Sequence, residues 1–393
     1  MEAFVNSGNF HGFLDQYANV AETFTAILEE RPFSGASLSI WKDGVCVVNL
    51  HGGFADHSLG ITWEEDTPSV IFSSTKGVMS LLLAKLFQDR SFDYLDPVGK
   101  YWPEFAHGAK KNILIRDLVS HRAGLPVIQG GVTLDQVIDW DYMVDRLAKE
   151  EPLWTPGSNY FYHAITHGWL TGELVTRLTG LTPGEYLQIV ASKPLKLDFW
   201  IGAPAEVTDR VANLYVTESL KSLFSEIKSS DTQSGNLLLS ALTLGGAFPD
   251  VLVGEGTGFN SRDVQGAQIP GAGGIATAHS LAKLWSSAVV ETDGLRLLSD
   301  ETISVVSQPQ SEGVPFGEGP PPYSRFGMGF QLDSEARKYL TPKSFGHDGA
   351  GGQCAFADPV HKIGFAFLTN EMDGAIDTRA TTLIDELGKS LKA

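Results

Sequence analysis

PSVIFSSTKGVMSLLLAKLFQ, residues 68–88, changes character at Ser73. The run before it is short and β-like. After it, Val78, Met79, Leu82, Leu83, Leu86 and Phe87 recur at helical spacing and predict an apolar helix over residues 74–90. Ser73 therefore opens a helix, and Lys76 follows at i+3 on the same face. A serine hydroxyl is a poor nucleophile until a neighbouring base takes its proton. A lysine amine serves once burial or nearby charge lowers its pKa. The first turn of a helix also offers free N–H groups to a developing oxyanion. An N-cap serine without chemistry carries the same local signature. The Ser-x-x-Lys spacing recurs at Ser39/Lys42, Ser225/Lys228 and Ser280/Lys283, so context must separate them. Ser39 and Lys42 fall on a strand, where i and i+3 face opposite sides. Ser225 has no strand before it, and Ser280 opens a helix (HSLAKLW) with no evident partner.

Upstream, Phe13, Leu14, Tyr17, Val20, Phe24, Ile27 and Leu28 predict a helix within residues 11–31. GASLSIWKDGVCVVNLHGG (35–53) then places two alternating, β-branched runs around Asp43-Gly44, a pair suited to a type I′ hairpin turn. Downstream, Thr182-Pro183-Gly184-Glu185 is a capping box with proline at the first helical position. RFGMGFQL (325–332), GQCAFADP (352–359) and KIGFAFLTN (362–370) read as strands, and residues 375–392 as a closing helix. Residues 229–274, rich in Gly, Ser and Thr, fit no period and read either as pocket-lining loops or as a surface excursion. Strands at both ends with helices between predict an α/β fold of the α+β type. One unit is a sheet domain from residues 1–75 and 285–393. The other is a mainly helical domain over 76–284.

Twenty-nine Lys and Arg against 47 Asp and Glu give a net charge of −18, which repels phosphate backbones and anionic lipid headgroups. Nucleic-acid and membrane-surface partners are excluded on that ground. Cys46 and Cys354, far apart and without metal-type spacing, fit a reducing compartment, with one disulfide between them left open. The first 20 residues lack a basic region followed by an apolar core, and no run of about 18 apolar residues follows elsewhere. The expected location is cytoplasmic. His163 and His167 stand at i and i+4, but the glutamate of H-E-x-x-H and a third ligand are missing, so no metal is expected. Gly254, Gly256 and Gly258 do not match a dinucleotide fingerprint, and no cofactor is implied. No serine has the flanking glycines of a G-x-S-x-G elbow.

Two more elements bear on chemistry. PGSNYFYHA (156–164) runs into the helical segment ITHGWLTGELV, so Tyr162 stands just before a helix and could aim a phenol into a cleft. Beside a lysine ammonium such a phenol is expected to fall in pKa and shuttle protons. An ordinary packing tyrosine fits the same position. GHDGAGG (346–352) precedes a strand, and its glycines allow close approach of backbone to a ligand; a plain glycine turn reads the same way.

Taken in order, these elements resemble the serine β-lactamase and DD-peptidase superfamily, with S-x-x-K, then Y-x-N or similar, then K-T-G or H-x-G. More narrowly the chain resembles the family VIII carboxylesterases, related to class C β-lactamases. That likeness rests on FSSTKG (72–77), RDLVSHRAGLP (116–126), YHAITHGWLTGELV (162–175), LDFWIGAP (197–204), GGIATAHSLAKLW (273–285) and FGHDGAGGQCAFADP (345–359), nearly the whole chain. The resemblance implies Ser73 as nucleophile, Lys76 as holder or acceptor of its proton, and Tyr162 as partner base and acid. It implies an oxyanion hole from the Ser73 and Ala350 N–H groups, with His347 and Gly349 at the substrate. Two departures stand out. Ala164 replaces the asparagine of Y-x-N, and His347-Asp348-Gly349 replaces K-T-G. Both lost groups help to hold a lactam's amide and carboxylate, and a neutral ester needs neither. The implied activity is hydrolysis of small carboxylic esters with short to medium acyl chains. β-Lactamase or D-aminopeptidase activity, acyl transfer, and a non-catalytic acylated binder are the alternatives. Trp140, Trp154, Trp169 and Phe224 either line an apolar pocket or belong to the core.

Overall fold

The computed structural model describes residues 5–7, 16–374 and 377–392. The first predicted helix is α1, Ala18–Glu29; Phe13 and Leu14 lie outside the described residues. The hairpin follows as β2 (Gly35–Lys42) and β3 (Val45–Asp56), with β1 (Val5–Ser7) and β4 (Ile61–Thr62) both pairing with β3. Asp43 and Gly44 both take positive φ, +50° and +80°, as a type I′ turn demands.

The C-terminal strands are β5 (Arg325–Phe326), β6 (Gln331–Leu332), β7 (Phe345–Asp348), β8 (Cys354–Asp358) and β9 (Ile363–Thr369). The nine strands form one sheet in the order β1-β3-β2-β9-β8-β7-β6-β5, with β4 also paired to β3, off this path. β9 lies antiparallel to β2, from Ile363 opposite Lys42 to Thr369 opposite Ala36. Both chain ends thus share one sheet. Its central strands are buried on both faces. Leu38, Ile40, Phe356 and Phe365 meet Val20, Phe24 and Leu28 of α1 and Leu383 and Leu387 of α5 (Arg379–Ser390). On the other face Trp41, Ala355 and Ala366 meet the helix Ala278–Val289, here α4. That helix crosses residues 284/285, so the layer packed on the sheet begins at 278.

Residues 325–332, expected as one strand, form a tight hairpin in which Phe326 pairs with Gln331. Gly329, at φ +86°, reverses the chain there, and the Met328 N–H donates to the Val306 carbonyl instead of to a strand. Residues 229–274 also hold more structure than their composition suggests. Gln233–Thr243 is a helix, capped by the Thr232 hydroxyl on the Gly235 N–H, and it packs on the helix Glu218–Ser230. QSGNLLLSALT hides it, because Gly, Ser and Asn are poor helix formers and three adjacent leucines blur the period. Leu242, Val251 and Leu252 of this region line a cavity, which favours the pocket-lining alternative.

The helical part centres on α2 (Ser74–Gln88), buried on nearly every side, and α3 (Thr166–Thr179) packed beside it. Cys46 and Cys354 are both free thiols. No helix of the described residues is long and apolar enough to cross a membrane.

Candidate active site

The chain enters α2 through a strained bend. Phe72 is buried with φ +45°, a region that bulky residues avoid, and its ring is held edge-on to Phe259 at 5.1 Å. The bend delivers Ser73 to the N-terminus of α2. Its side chain makes no capping bond there, so the N-cap alternative falls away. Instead Lys76 Nζ donates to Ser73 Oγ at 2.9 Å and to the Gly271 carbonyl at 2.6 Å. Lys76 is fully buried with no carboxylate among these partners, and burial pushes its pKa well below the usual lysine range. Ala164, where the asparagine of Y-x-N would stand, is itself buried and offers no side-chain acceptor.

The carbonyl that holds Lys76 is placed by two glycines. A Cβ on Gly168 would lie 2.0 Å from Gly271 N, and one on Gly271 would lie 2.4 Å from the Ile165 carbonyl oxygen. Only bare backbone lets α3 approach this closely. Gly168→Ala is expected to force the two segments apart, lowering stability by about 3 kcal/mol and loosening the Lys76 contact. Urea unfolding measured alongside kcat checks it; an unchanged midpoint would show that the packing yields.

Tyr162 faces the same amine, with Lys76 Nζ 4.9 Å from its ring centroid. Phe326 stacks on it at 5.9 Å and 13°, while His121 and His347 flank it at 5.0 and 5.9 Å. Burial pushes the phenol above its ordinary range and the neighbouring Ser73 hydroxyl opposes this. The expected lowering by a lysine ammonium is thus reversed, because desolvation dominates both groups. The pair favours a neutral amine and a protonated phenol.

His347 lies on β7 with its Nδ1 2.7 Å from the Asp348 carbonyl, which places the proton on Nδ1, and its Nε2 is buried without a hydrogen-bond partner. Burial, then Lys76, lower its pKa to about 3. A neutral ring therefore stands where K-T-G would put a cation. Gly349 packs against the segment just before Ser73: a Cβ there would come within 2.3 Å of the Ile71 carbonyl oxygen. Ala350 opens the turn Ala350–Gly352. The Ser73 and Ala350 N–H groups make no backbone or side-chain hydrogen bond among the described residues, which leaves both free for an oxygen ligand.

Three further histidines close the site from beneath, and no sequence pattern singled out the first of them. His121 is buried at φ +66°, and its Nδ1 accepts the His163 N–H. His163 Nε2 accepts the Leu125 N–H, and His167 Nε2 meets the Val119 carbonyl at 3.0 Å. These backbone bonds account for the i, i+4 pair. Among the described residues no group of three or more His, Cys, Asp or Glu side chains could hold a metal.

The other Ser-x-x-Lys pairs are taken up elsewhere. Ser280 bonds the Asp198 N–H, Lys283 holds Asp293 and the Leu195 carbonyl, and Ser225 is exposed. Trp169 is core, Trp140 bonds Glu173, Trp154 bonds the Asn159 carbonyl, and Phe224 lines a cavity.

Known proteins resemble the chain over most of its length. The chain is 29% identical over 363 residues to "Esterase/beta-lactamase LipL" of Mycobacterium tuberculosis (strain ATCC 25618 / H37Rv), covering 91% of this chain and 82% of that protein. Its fold matches EstA from Arthrobacter nitroguajacolicus Rue61a with a TM-score of 0.83 at 30% identity, covering 98% of this chain and 99% of that one. It matches a family VIII carboxylesterase with a TM-score of 0.85 at 27% identity, over 98% and 100% of the two chains. A penicillin-binding protein homologue from Caulobacter crescentus gives 0.86 at 30% identity, again over 98% and 100%. The Beta-lactamase family model matches residues 20–389, and the chain belongs to that family.

Proposed function

We propose that the protein is a serine carboxylesterase that works through an acyl-enzyme on Ser73. The observation that carries this is the buried Lys76 amine, bonded to Ser73 Oγ at 2.9 Å with no carboxylate to keep it charged. Ser73 Oγ attacks the ester carbonyl carbon while its proton passes to Lys76 Nζ. The Ser73 and Ala350 N–H groups receive the negative oxygen. When the carbon–oxygen bond to the alcohol breaks, Tyr162 gives its proton to the alkoxide and regains one from the Lys76 ammonium. Water then attacks the acyl-enzyme, giving its proton to the same pair, and the pair passes that proton to Ser73 Oγ as the bond to the acyl carbon breaks and the acid departs.

Esters are favoured over β-lactams by two local features. Ala164 supplies no amide for a lactam side chain, and His347, neutral above about pH 3, supplies no cation for its carboxylate. Among the relatives, one is named for both activities and another is a family VIII carboxylesterase, which supports an ester-cleaving site of this type.

The test is hydrolysis of p-nitrophenyl acetate, butyrate and octanoate beside the chromogenic cephalosporin nitrocefin. The expected kcat/KM for the preferred ester exceeds that for nitrocefin at least about 100-fold, a difference of about 2.7 kcal/mol at the transition state. Faster turnover of nitrocefin would make the protein a β-lactamase in which a neutral histidine replaces the cation.

A further inference from the structure

Tyr162 hangs between two anchored neighbours. It makes no backbone hydrogen bond of its own among the described residues. The N–H before it, on Phe161, donates to the His121 carbonyl at 3.2 Å, and the N–H after it, on His163, donates to His121 Nδ1 at 3.2 Å. One residue thus grips the chain on both sides of the phenol, once with its backbone and once with its side chain. The His121 ring also flanks the phenol at 5.0 Å and meets Phe326, which stacks on the phenol, edge-on at 4.6 Å.

His121 stands at φ +66°, where a β-carbon crowds the backbone, and from there its carbonyl and its ring both face residues 161–163. Because Nδ1 accepts, the proton sits on Nε2, and that N–H is buried without a partner. Burial also holds the ring neutral, which keeps Nδ1 open as an acceptor. A strained backbone and an orphaned donor at one buried residue point to a site rather than to packing alone. The flanking chain is fixed as well. The Gly157 N–H donates to the Arg122 carbonyl at 3.0 Å, the Leu153 N–H to the Gly124 carbonyl at 2.8 Å, and the Leu125 N–H to His163 Nε2 at 3.0 Å. Residues 121–125 therefore form a rail for 153–163, with His121 at the phenol.

Resting on the esterase reading, we propose that His121 is a positioning residue for Tyr162. Its Nδ1 and carbonyl hold the backbone of residues 161–163 so that the phenol stays within reach of the departing alkoxide. The bond to the alcohol breaks as the Tyr162 proton moves to the alkoxide oxygen, and the phenolate regains a proton from the Lys76 ammonium. An activated leaving group such as p-nitrophenolate departs without that proton, whereas ethoxide does not. The clamp therefore decides whether the protein cleaves alkyl esters or activated aryl esters alone.

The experiment follows the ratio of kcat/KM for ethyl butyrate to that for p-nitrophenyl butyrate in the unmodified protein, His121→Gly, His121→Asn and Tyr162→Phe. Glycine accepts the left-handed backbone but removes the acceptor and the ring. Asparagine also tolerates that backbone and carries an oxygen on Cγ where histidine has Nδ1. Melting curves confirm that each variant is folded. The ratio is expected to fall at least about 10-fold in His121→Gly and Tyr162→Phe, and to stay within about 3-fold of its original value in His121→Asn. Adding His121→Gly to Tyr162→Phe is expected to leave the ratio where Tyr162→Phe alone puts it, because one acts through the other. A folded His121→Gly that slows both esters equally overturns the proposal, since a merely structural histidine would do that. So does a His121→Asn whose ratio falls as far as that of Tyr162→Phe, and this arm stands even if the glycine variant does not fold. An unmodified protein that cleaves only the nitrophenyl ester has no working acid to position and overturns the proposal too. One that cleaves neither ester would instead defeat the esterase reading itself, before any variant is made.

Discussion

Ser73→Ala is expected to lower kcat toward p-nitrophenyl esters at least about 10,000-fold, a loss of about 5.5 kcal/mol of transition-state stabilisation. The size follows from what remains. The N–H groups of residues 73 and 350 and the surrounding cavity would still bind the ester, but no atom could form the covalent intermediate. Lys76→Ala should fall nearly as far. Its amine is the group bonded to Ser73 Oγ, and the fully buried pocket holds no carboxylate beside it to take over. Groups that act as one unit are strongly non-additive, so the double variant should be little worse than either single one. Mass spectrometry after brief mixing with substrate supplies a second readout. The unmodified protein should carry one acyl group and both variants none. Acylated Ser73→Ala would place the nucleophile elsewhere, and Lys76→Ala acylating at an ordinary rate would pass the role of base to Tyr162.

The parts of this site visible in the sequence are those whose chemistry is local. Asp43-Gly44 announces its turn because both residues tolerate positive φ, and Ser73 with Lys76 is legible because the β-like run before it and the apolar helix after it set this pair apart from the other Ser-x-x-Lys spacings. Tyr162 could be named from its motif, but its proton affinity could not, since that depends on burial contributed by Phe326, His121 and His347 from distant elements. His121 was visible only as one letter in RDLVSHRAGLP; a left-handed backbone at a histidine has no sequence signal comparable to a glycine's. The hairpin at 325–332 and the helix at 233–243 were hidden for the opposite reason. Tertiary contacts, the Val306 carbonyl in one case and the packing against 218–230 in the other, override what composition suggests locally.

Those buried histidines set the second large effect, a loss of stability in mild acid. An unfolded chain protonates its histidines near pH 6.5. In the native state burial holds His163 neutral down to about pH 4 and His347 down to about pH 3, and it holds His121 and His167 well below their ordinary value. Above pH 6.5 both states are neutral and these groups contribute no pH dependence. As pH falls through 6.5 the unfolded chain binds protons that the native chain refuses, so stability declines until the native values are reached. At about 1.4 kcal/mol per pH unit for each ring, His163 and His347 alone remove about 4 kcal/mol between pH 6.5 and 5. That is a large share of the roughly 5–15 kcal/mol that holds a typical domain together, before His121 and His167 add to it. Asp348 and Glu150, whose carboxyls burial pushes up, work in the opposite sense, but nearer the carboxylate range. Because the native Lys76 is held well below the ordinary lysine range, the urea midpoint should already slope downward from pH 8 to 6.5, and it should steepen below 6.5 with a further drop on the order of 1 M by pH 5. These histidines should not inhibit the folded protein over that range, because burial keeps His347 neutral to about pH 3 and holds His121 well below its ordinary value. A midpoint that holds steady to pH 5 would mean that the imidazoles charge within the folded protein. Lys76 would then have cationic neighbours and no longer be a neutral base isolated by burial.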